Sequence, residues 1–198
     1  MDEYGTRSSQ EVSQISLLPY TIASTLLNRI QIHLGGVFVI YLVGFMGSGK
    51  STVAAQLSYK LGMPYIEMDD EIEKEQGITI SEMFATYGES FFREKETSFL
   101  RGISKEVIVS TGGGVILSKD NRLLLKSGTV IYLKAEWETI VQRLSEDTKR
   151  PLWKGDAQEK KTRFQSRLKL YEEVADEIIS VDERTPHEIA IDIQKRLK

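Results

Sequence analysis

The stretch VFVIYLVGFMGSGKS at residues 37–51 decides the fold of this chain. Residues 37–43 form a continuous apolar run, which is typical of a strand buried on both faces of a parallel sheet. Residues 44–51 match the pattern G-x-x-x-x-G-K-[ST], whose glycines let backbone N–H groups turn toward phosphate oxygens. A helix is predicted to begin near Lys50, and both its N-terminus and the lysine attract anions. The stretch therefore predicts a loop that binds nucleotide phosphates, with the Ser51 hydroxyl as a ligand of Mg²⁺.

Apolar strands and amphipathic helices alternate through the rest of the chain. Further strands are predicted at 64–68, 106–110, 129–133 and 177–181, and helices at 51–61, 137–144, 160–175 and 186–197. Thr79 and Glu82 have the spacing of a capping box at the start of another helix. Strands that alternate with helices predict an α/β fold with a parallel sheet. We therefore expect a three-layer α/β/α sandwich with a five-stranded parallel sheet, the P-loop NTPase fold, and a mobile lid at about residues 144–160.

Length and composition are those of one globular domain with a distinct leader. The chain has 198 residues, of which 40% are hydrophobic and 28% are charged. Residues 37–198 are predicted to form the nucleotide-binding domain. Residues 1–36 are expected to be an N-terminal extension that is partly disordered or carries a short helix.

Charge and apolar content exclude several classes of function. The chain has 26 basic and 29 acidic residues, and this balance argues against nucleic acid as a partner. It has no cysteine, which excludes disulfides and thiolate catalysis. The apolar run at residues 37–45 is far shorter than the roughly 20 residues that cross a bilayer. We therefore expect a cytoplasmic protein that binds neither nucleic acid nor a membrane. We also expect it to be a monomer, although its oligomeric state does not follow from these features.

Acidic residues follow the second predicted strand in the segment YIEMDDEIE, residues 65–73. The carboxyl ends of parallel strands form the edge at which ligands bind in open α/β sheets. Side chains alternate along a strand, so Glu67 and Asp69 are expected to point to the same side. One carboxylate can then hold Mg²⁺ through water while the other accepts the proton of an attacking hydroxyl. A solvated acidic start of a helix explains the segment equally well.

A glycine run and four arginines are further candidates for this site. The segment STGGG, residues 110–114, follows the third strand and allows a ligand to approach the backbone, although a flexible turn is an equal explanation. Arginine binds carboxylates and phosphates through paired hydrogen bonds. The arginines in unusual settings are Arg93, Arg143, Arg150 and Arg167. Taken singly, each is better explained as a surface charge.

In their order along the chain, these motifs resemble those of the shikimate kinase family, within the nucleoside-monophosphate-kinase-like group of P-loop kinases. The matching segments span about residues 37–197 and are GFMGSGKS, YIEMDDEIE, FATYGESFFREKE, STGGG, RPLW, RLKLY and VDERTP. The resemblance implies an enzyme that uses ATP and Mg²⁺ and transfers the γ-phosphoryl group to the 3-hydroxyl of shikimate. This step belongs to the biosynthesis of aromatic amino acids.

The resemblance also implies which residues bind the acceptor. Asp69 matches the aspartate that contacts the shikimate hydroxyls and acts as the base. Arg93 and Arg167 match the arginines that hold the shikimate carboxylate. The glycines that receive the substrate hydroxyls are matched by Gly112, Gly113 and Gly114.

On the nucleotide side, the resemblance places Arg143 and Pro186 beside the adenine. Lys50 and the lid residue Arg150 are expected to stabilise charge on the transferred phosphoryl group. The full set of expected ATP-binding residues is Gly47, Ser48, Gly49, Lys50, Ser51, Thr52, Arg143, Arg150 and Pro186. The expected metal ligands are Ser51 and Glu67.

The chain departs from the family pattern at two motifs and in its leader. Glu67 stands where the family usually has aspartate, and the segment Arg167-Leu-Lys-Leu-Tyr171 lacks the usual proline. Two other functions stay open: a related kinase for another small hydroxy acid such as gluconate, and a non-catalytic nucleotide-binding module. A GTPase switch is disfavoured because the sequence contains no N-K-x-D motif.

Overall fold

Five parallel strands form one sheet in the computed structural model, which describes residues 37–145 and 156–197. Their order across the sheet is β2-β3-β1-β4-β5. Every neighbouring pair is parallel, so the predicted parallel sheet is confirmed. The strands are β1 Val39–Val43, β2 Tyr65–Glu67, β3 Val107–Ser110, β4 Thr129–Lys134 and β5 Glu177–Ser180.

Helices connect the strands and form the outer layers of an α/β/α sandwich, as predicted. A single 3₁₀ turn, Val115–Leu117, follows β3. The helices are α1 Lys50–Leu61, α2 Met68–Gln76, α3 Ile80–Arg101, α4 Lys119–Leu125, α5 Trp137–Ser145, α6 Ala157–Val174 and α7 Pro186–Arg196.

Side-chain caps fix where several helices begin. The Thr79 hydroxyl accepts from the Glu82 N–H at 3.2 Å, and the Glu82 carboxylate accepts from the Thr79 N–H at 2.8 Å. The predicted capping box at the start of α3 is therefore confirmed. α6 begins three residues earlier than predicted because the Asp156 carboxylate caps it, accepting from the backbone N–H of Gln158 and Glu159.

The second strand is shorter than predicted, and this corrects one argument about the acidic segment. β2 ends at Glu67, and Met68 already begins α2. Asp69 therefore lies in the first turn of a helix, so strand alternation does not determine the direction of its side chain. Acidic residues in the first turn of a helix stabilise its positive end, and Met68 at the start of α2 is fully buried. Both features favour a helix that begins at Met68 over a longer strand.

Two predicted segments lie wholly or partly outside the described residues. These are the extension at residues 1–36 and the part of the predicted lid at residues 146–155. Of the remaining lid residues, Leu144 and Ser145 belong to α5, Asp156 is the N-cap of α6, and residues 157–160 belong to α6. Within residues 37–145 and 156–197, no helix is both long enough and apolar enough to cross a membrane.

The register of the sheet brings the strand ends to one edge. Ser110 at the end of β3 pairs with Leu42 of β1 on one side and with Glu67 of β2 on the other. Val43, the last residue of β1, pairs with Tyr132 of β4. All five residues of β1 are buried, so the loop that follows it starts from the rigid centre of the sheet.

Candidate active site

Glycine conformations set the shape of the phosphate-binding loop, residues 44–51. Gly47 and Gly49 adopt φ angles of 81° and 90°, where a side chain would be strained. The Lys50 ammonium donates to the carbonyl oxygens of Gly44 at 2.9 Å and Phe45 at 3.1 Å. Lys50 is only 8% exposed. The loop thus closes around its lysine at the start of α1, where such loops bind phosphates.

Ser51 and Glu67 form the part of the site that suits a magnesium ion. The Ser51 hydroxyl donates to Glu67 Oε2 at 3.0 Å. The other carboxylate oxygen, Oε1, is buried and has no hydrogen-bond partner among the described residues. The described part of the chain also holds no cluster of three or more metal-binding side chains. The hydroxyl and carboxylate oxygens of Ser51 and Glu67 fit Mg²⁺ as kinases bind it, through few protein ligands, water and the substrate phosphates.

Asp69 presents a carboxylate oxygen to the glycine loop, residues 112–114. Asp69 Oδ1 is buried and has no hydrogen-bond partner among the described residues. A Cβ added at Gly112 would lie 2.6 Å from this oxygen. Burial raises the pKa of Asp69, although the charges of Lys50 and Arg93 act in the opposite direction. The arrangement provides an acceptor for a hydroxyl group, with a pKa moved toward the neutral range that favours a general base.

The glycine loop is packed too closely to carry side chains. A Cβ at Gly114 would lie 2.6 Å from Arg93 Nη1, and one at Gly113 would lie 3.2 Å from the backbone N of Met46. The loop therefore lies between the phosphate-binding loop and the side chains of Asp69 and Arg93. Glycine at these positions lets the Arg93 guanidinium and the phosphate-binding loop approach the backbone closely.

Two carboxylates hold Arg93 in α3. Its Nη1 donates to Glu96 Oε2 at 2.7 Å, and its Nη2 donates to Glu89 Oε1 at 2.7 Å. Its guanidinium also lies 5.3 Å from the centre of the Phe92 ring. Glu96 is completely buried, and burial raises its pKa to about 7 against the opposing influence of Arg93. The Arg93 guanidinium is thereby fixed beside the glycine loop.

Arg167 approaches the same loop from α6. Its Nη1 donates to the Gly113 carbonyl at 3.1 Å, and its guanidinium lies 5.6 Å from the centre of the Phe45 ring. Burial lowers the pKa of Arg167, and the positive charge of Arg93 lowers it further. Two guanidinium groups that repel each other in a partly buried space favour an anion between them.

The structure places most of the other predicted nucleotide-binding residues around the phosphate-binding loop. Arg143 in α5 donates to the carbonyl oxygens of Gly47 at 3.2 Å and Val181 at 3.1 Å, so it joins this loop to the segment after β5. Ser48 is buried in the loop, and Thr52 is exposed in the first turn of α1. Pro186 is the first residue of α7, and Arg150 lies outside the described residues.

Comparison with known proteins decides the family. The family model for shikimate kinase matches residues 46–198. The chain belongs to the shikimate kinase family. Among its curated relatives, the shikimate kinases of Persephonella marina and Enterococcus faecalis are each 43% identical to it, over 162 and 164 residues. Each match covers 80% of this chain and 98% of the relative.

Solved shikimate kinases share the fold over the same region. The shikimate kinase of Acinetobacter baumannii, solved in complex with shikimate, is 37% identical, with a TM-score of 0.76. The match covers 81% of this chain and 93% of that one. The shikimate kinase of Aquifex aeolicus is 32% identical, with a TM-score of 0.70, and the match covers 81% of this chain and 96% of that one. The chain therefore has the fold of an ATP-dependent shikimate kinase, and ATP with Mg²⁺ is the family's cofactor.

Several residues that shape this shikimate kinase site were not predicted from the sequence. Glu89 and Glu96 hold Arg93, and Tyr171 contacts the glycine loop. A sequence signal existed for the two glutamates, since they lie four residues before and three residues after Arg93 on one helix. The contact of Tyr171 joins residues 58 positions apart, and no local pattern indicates it.

Proposed function

We propose that this chain transfers the γ-phosphoryl group of ATP to the 3-hydroxyl of shikimate, as a monomer in the cytoplasm. The observation that carries the proposal is the position of Asp69 Oδ1. This oxygen is buried, lacks a hydrogen-bond partner among the described residues, and lies beside Gly112 in the glycine loop. A carboxylate so placed can take the proton of an acceptor hydroxyl as that hydroxyl attacks phosphorus.

Arg93 and Arg167 are proposed to hold the acceptor's carboxylate. Both guanidiniums adjoin the glycine loop, and the charge of Arg93 lowers the pKa of Arg167. A bound carboxylate would relieve this repulsion and accept paired hydrogen bonds. Fixing the carboxylate on carbon 1 of the ring orients the hydroxyl on carbon 3, and such orientation supplies much of the rate of phosphoryl transfer.

The phosphate-binding loop is proposed to hold ATP, and the Mg²⁺ that accompanies it neutralises charge on the phosphates. Ser51 and Glu67 would hold that ion, because their oxygens adjoin each other at the start of α1. Lys50 is placed to stabilise the charge that develops on the transferred group. The same role for Arg150 rests on the sequence resemblance alone. For Arg143 and Pro186 we propose the adenine side of the site, which the link from Gly47 to Val181 supports.

Release of ADP in the presence and absence of shikimate tests the proposal. Asp69→Asn should lower kcat by about 100-fold or more, because a general base contributes on that order, and should leave ATP binding intact. Asp70→Asn is the matched control, since Asp70 is the exposed neighbour in the same helical turn. An Asp69→Asn variant with unchanged kcat would exclude Asp69 as the base. Turnover with gluconate but not with shikimate would favour the related kinase.

A further inference from the structure

Tyr171 lies next to the acceptor site in an arrangement that the proposed reaction does not use directly. It follows Arg167 by four residues on α6, so the two side chains lie on the same face of that helix. The Tyr171 hydroxyl donates to the carbonyl of Gly113, and Arg167 Nη1 donates to the same carbonyl at 3.1 Å. A carbonyl oxygen has two lone pairs, so these two donors saturate it.

We propose that Tyr171 is a positioning residue for the acceptor carboxylate, acting on Arg167 through the Gly113 carbonyl that both side chains bind. Its hydroxyl holds this carbonyl stationary, and the stationary carbonyl fixes one arm of the Arg167 guanidinium. Arginine has five N–H donors, so this bond engages only part of the group. The proposal rests on the proposed function, because it assigns Tyr171 to the binding of that substrate.

The surroundings of Tyr171 make it a rigid anchor. The side chain is completely buried, and its ring stacks on Tyr132 with centroids 5.0 Å apart and an interplanar angle of 22°. Tyr132 belongs to β4, whose neighbour β1 leads into the phosphate-binding loop. The Tyr171 hydroxyl therefore connects the glycine loop to the centre of the sheet. Burial also raises the pKa of Tyr171, so the hydroxyl keeps its proton and remains a donor at neutral pH.

Loss of this hydroxyl should weaken binding of the acceptor more than it slows the chemical step. Without it, the Gly113 carbonyl and the Arg167 side chain can take several arrangements, and binding must then restore one of them. Ordering one flexible side chain costs enough to change an affinity by about three- to tenfold. The nucleotide contacts none of these three groups in the proposed site, so its binding should not change.

The test compares steady-state kinetics of the wild-type protein and Tyr171→Phe, which keeps the stacked ring. The KM for shikimate should rise about three- to tenfold, while kcat and the KM for ATP stay within about twofold. Tyr132→Phe is the matched control, because it removes a hydroxyl from the other ring of the same stack. With the methyl ester of shikimate, which lacks the negative charge, the effect of Tyr171→Phe should disappear. If Tyr171→Phe does not fold, Tyr171→Met removes the same hydroxyl with a flexible apolar side chain.

The outcomes separate this proposal from the function on which it rests. A wild-type protein that releases no ADP in response to shikimate would overturn the proposed function and the role of Tyr171 together. An active wild-type protein with an unchanged KM for shikimate in Tyr171→Phe would overturn the role of Tyr171 alone. That role would also be overturned if the variant had a lower kcat and raised both KM values to the same extent. It would be overturned as well if Tyr171→Phe changed the KM for the ester as much as the KM for shikimate.

Discussion

A methyl group added at Gly112 should push the Asp69 carboxylate out of position. The new Cβ would lie 2.6 Å from Asp69 Oδ1 and 3.2 Å from Glu96 Oε1. Ordinary contacts of a Cβ begin at 3.4 Å, so Asp69 would have to move by roughly 0.8 Å. The φ angle of Gly112 is outside the left-handed region, so the substitution adds crowding without backbone strain. A displacement approaching 1 Å costs on the order of 100-fold in rate, or about 2.7 kcal/mol.

Steady-state kinetics with both substrates measures this effect. We expect Gly112→Ala to lower kcat/KM for shikimate by roughly 100-fold and to leave the affinity for ATP unchanged. Gly102→Ala is the matched control, because its new Cβ would meet the Phe99 and Ser98 carbonyl oxygens at 3.5 and 3.6 Å, which are ordinary contacts. If Gly112→Ala kept a kcat/KM within about threefold of the wild-type value, close approach of Asp69 to this loop would not matter for catalysis.

Three further predictions follow from contacts in α3. Arg93→Lys should raise the KM for shikimate about tenfold or more in steady-state assays, because an ammonium cannot make paired bonds to a carboxylate; an unchanged KM would contradict the clamp. The KM for shikimate should also rise as the pH falls through about 7, since Glu96 then gains a proton and loses its ionic hold on Arg93. Glu96→Gln should remove that pH dependence, and its persistence would assign the effect to another group. Thr79→Ala should lower the melting temperature by about 2–4 °C without changing kcat, and an unchanged melting temperature would show that the cap contributes little.

Local patterns were sufficient to predict most of the fold. The continuous apolar run before the phosphate-binding loop is the buried central strand β1, and the spacing of Thr79 and Glu82 marks the start of α3. Each of these features is determined by residues only a few positions apart, so local sequence patterns are enough to predict it. The glycines at 112–114 were ambiguous alone, because only the structure brings Asp69 and Arg93 against them.

Sequence analysis missed features that depend on competition between a strand and a helix, or on contacts between residues far apart in the chain. Strand alternation does not extend to Asp69 because the acidic residues after Glu67 stabilise a helix start more than a longer strand. The short helix α4, Lys119–Leu125, went unpredicted because a seven-residue helix has little periodic signal beyond its Ser118 cap. The contact of Tyr171 with Gly113 spans 58 positions and exists only after the sheet assembles.

Phosphorus NMR of a reaction with ATP, Mg²⁺ and shikimate would observe phosphoryl transfer to the acceptor itself. We expect one new phosphate monoester for each ADP formed, with its phosphorus coupled to the proton on carbon 3 of shikimate. Formation of inorganic phosphate alone would show hydrolysis of ATP without transfer. No turnover at all, with ATP still bound, would contradict the proposed kinase activity and favour a nucleotide-binding module without catalytic activity.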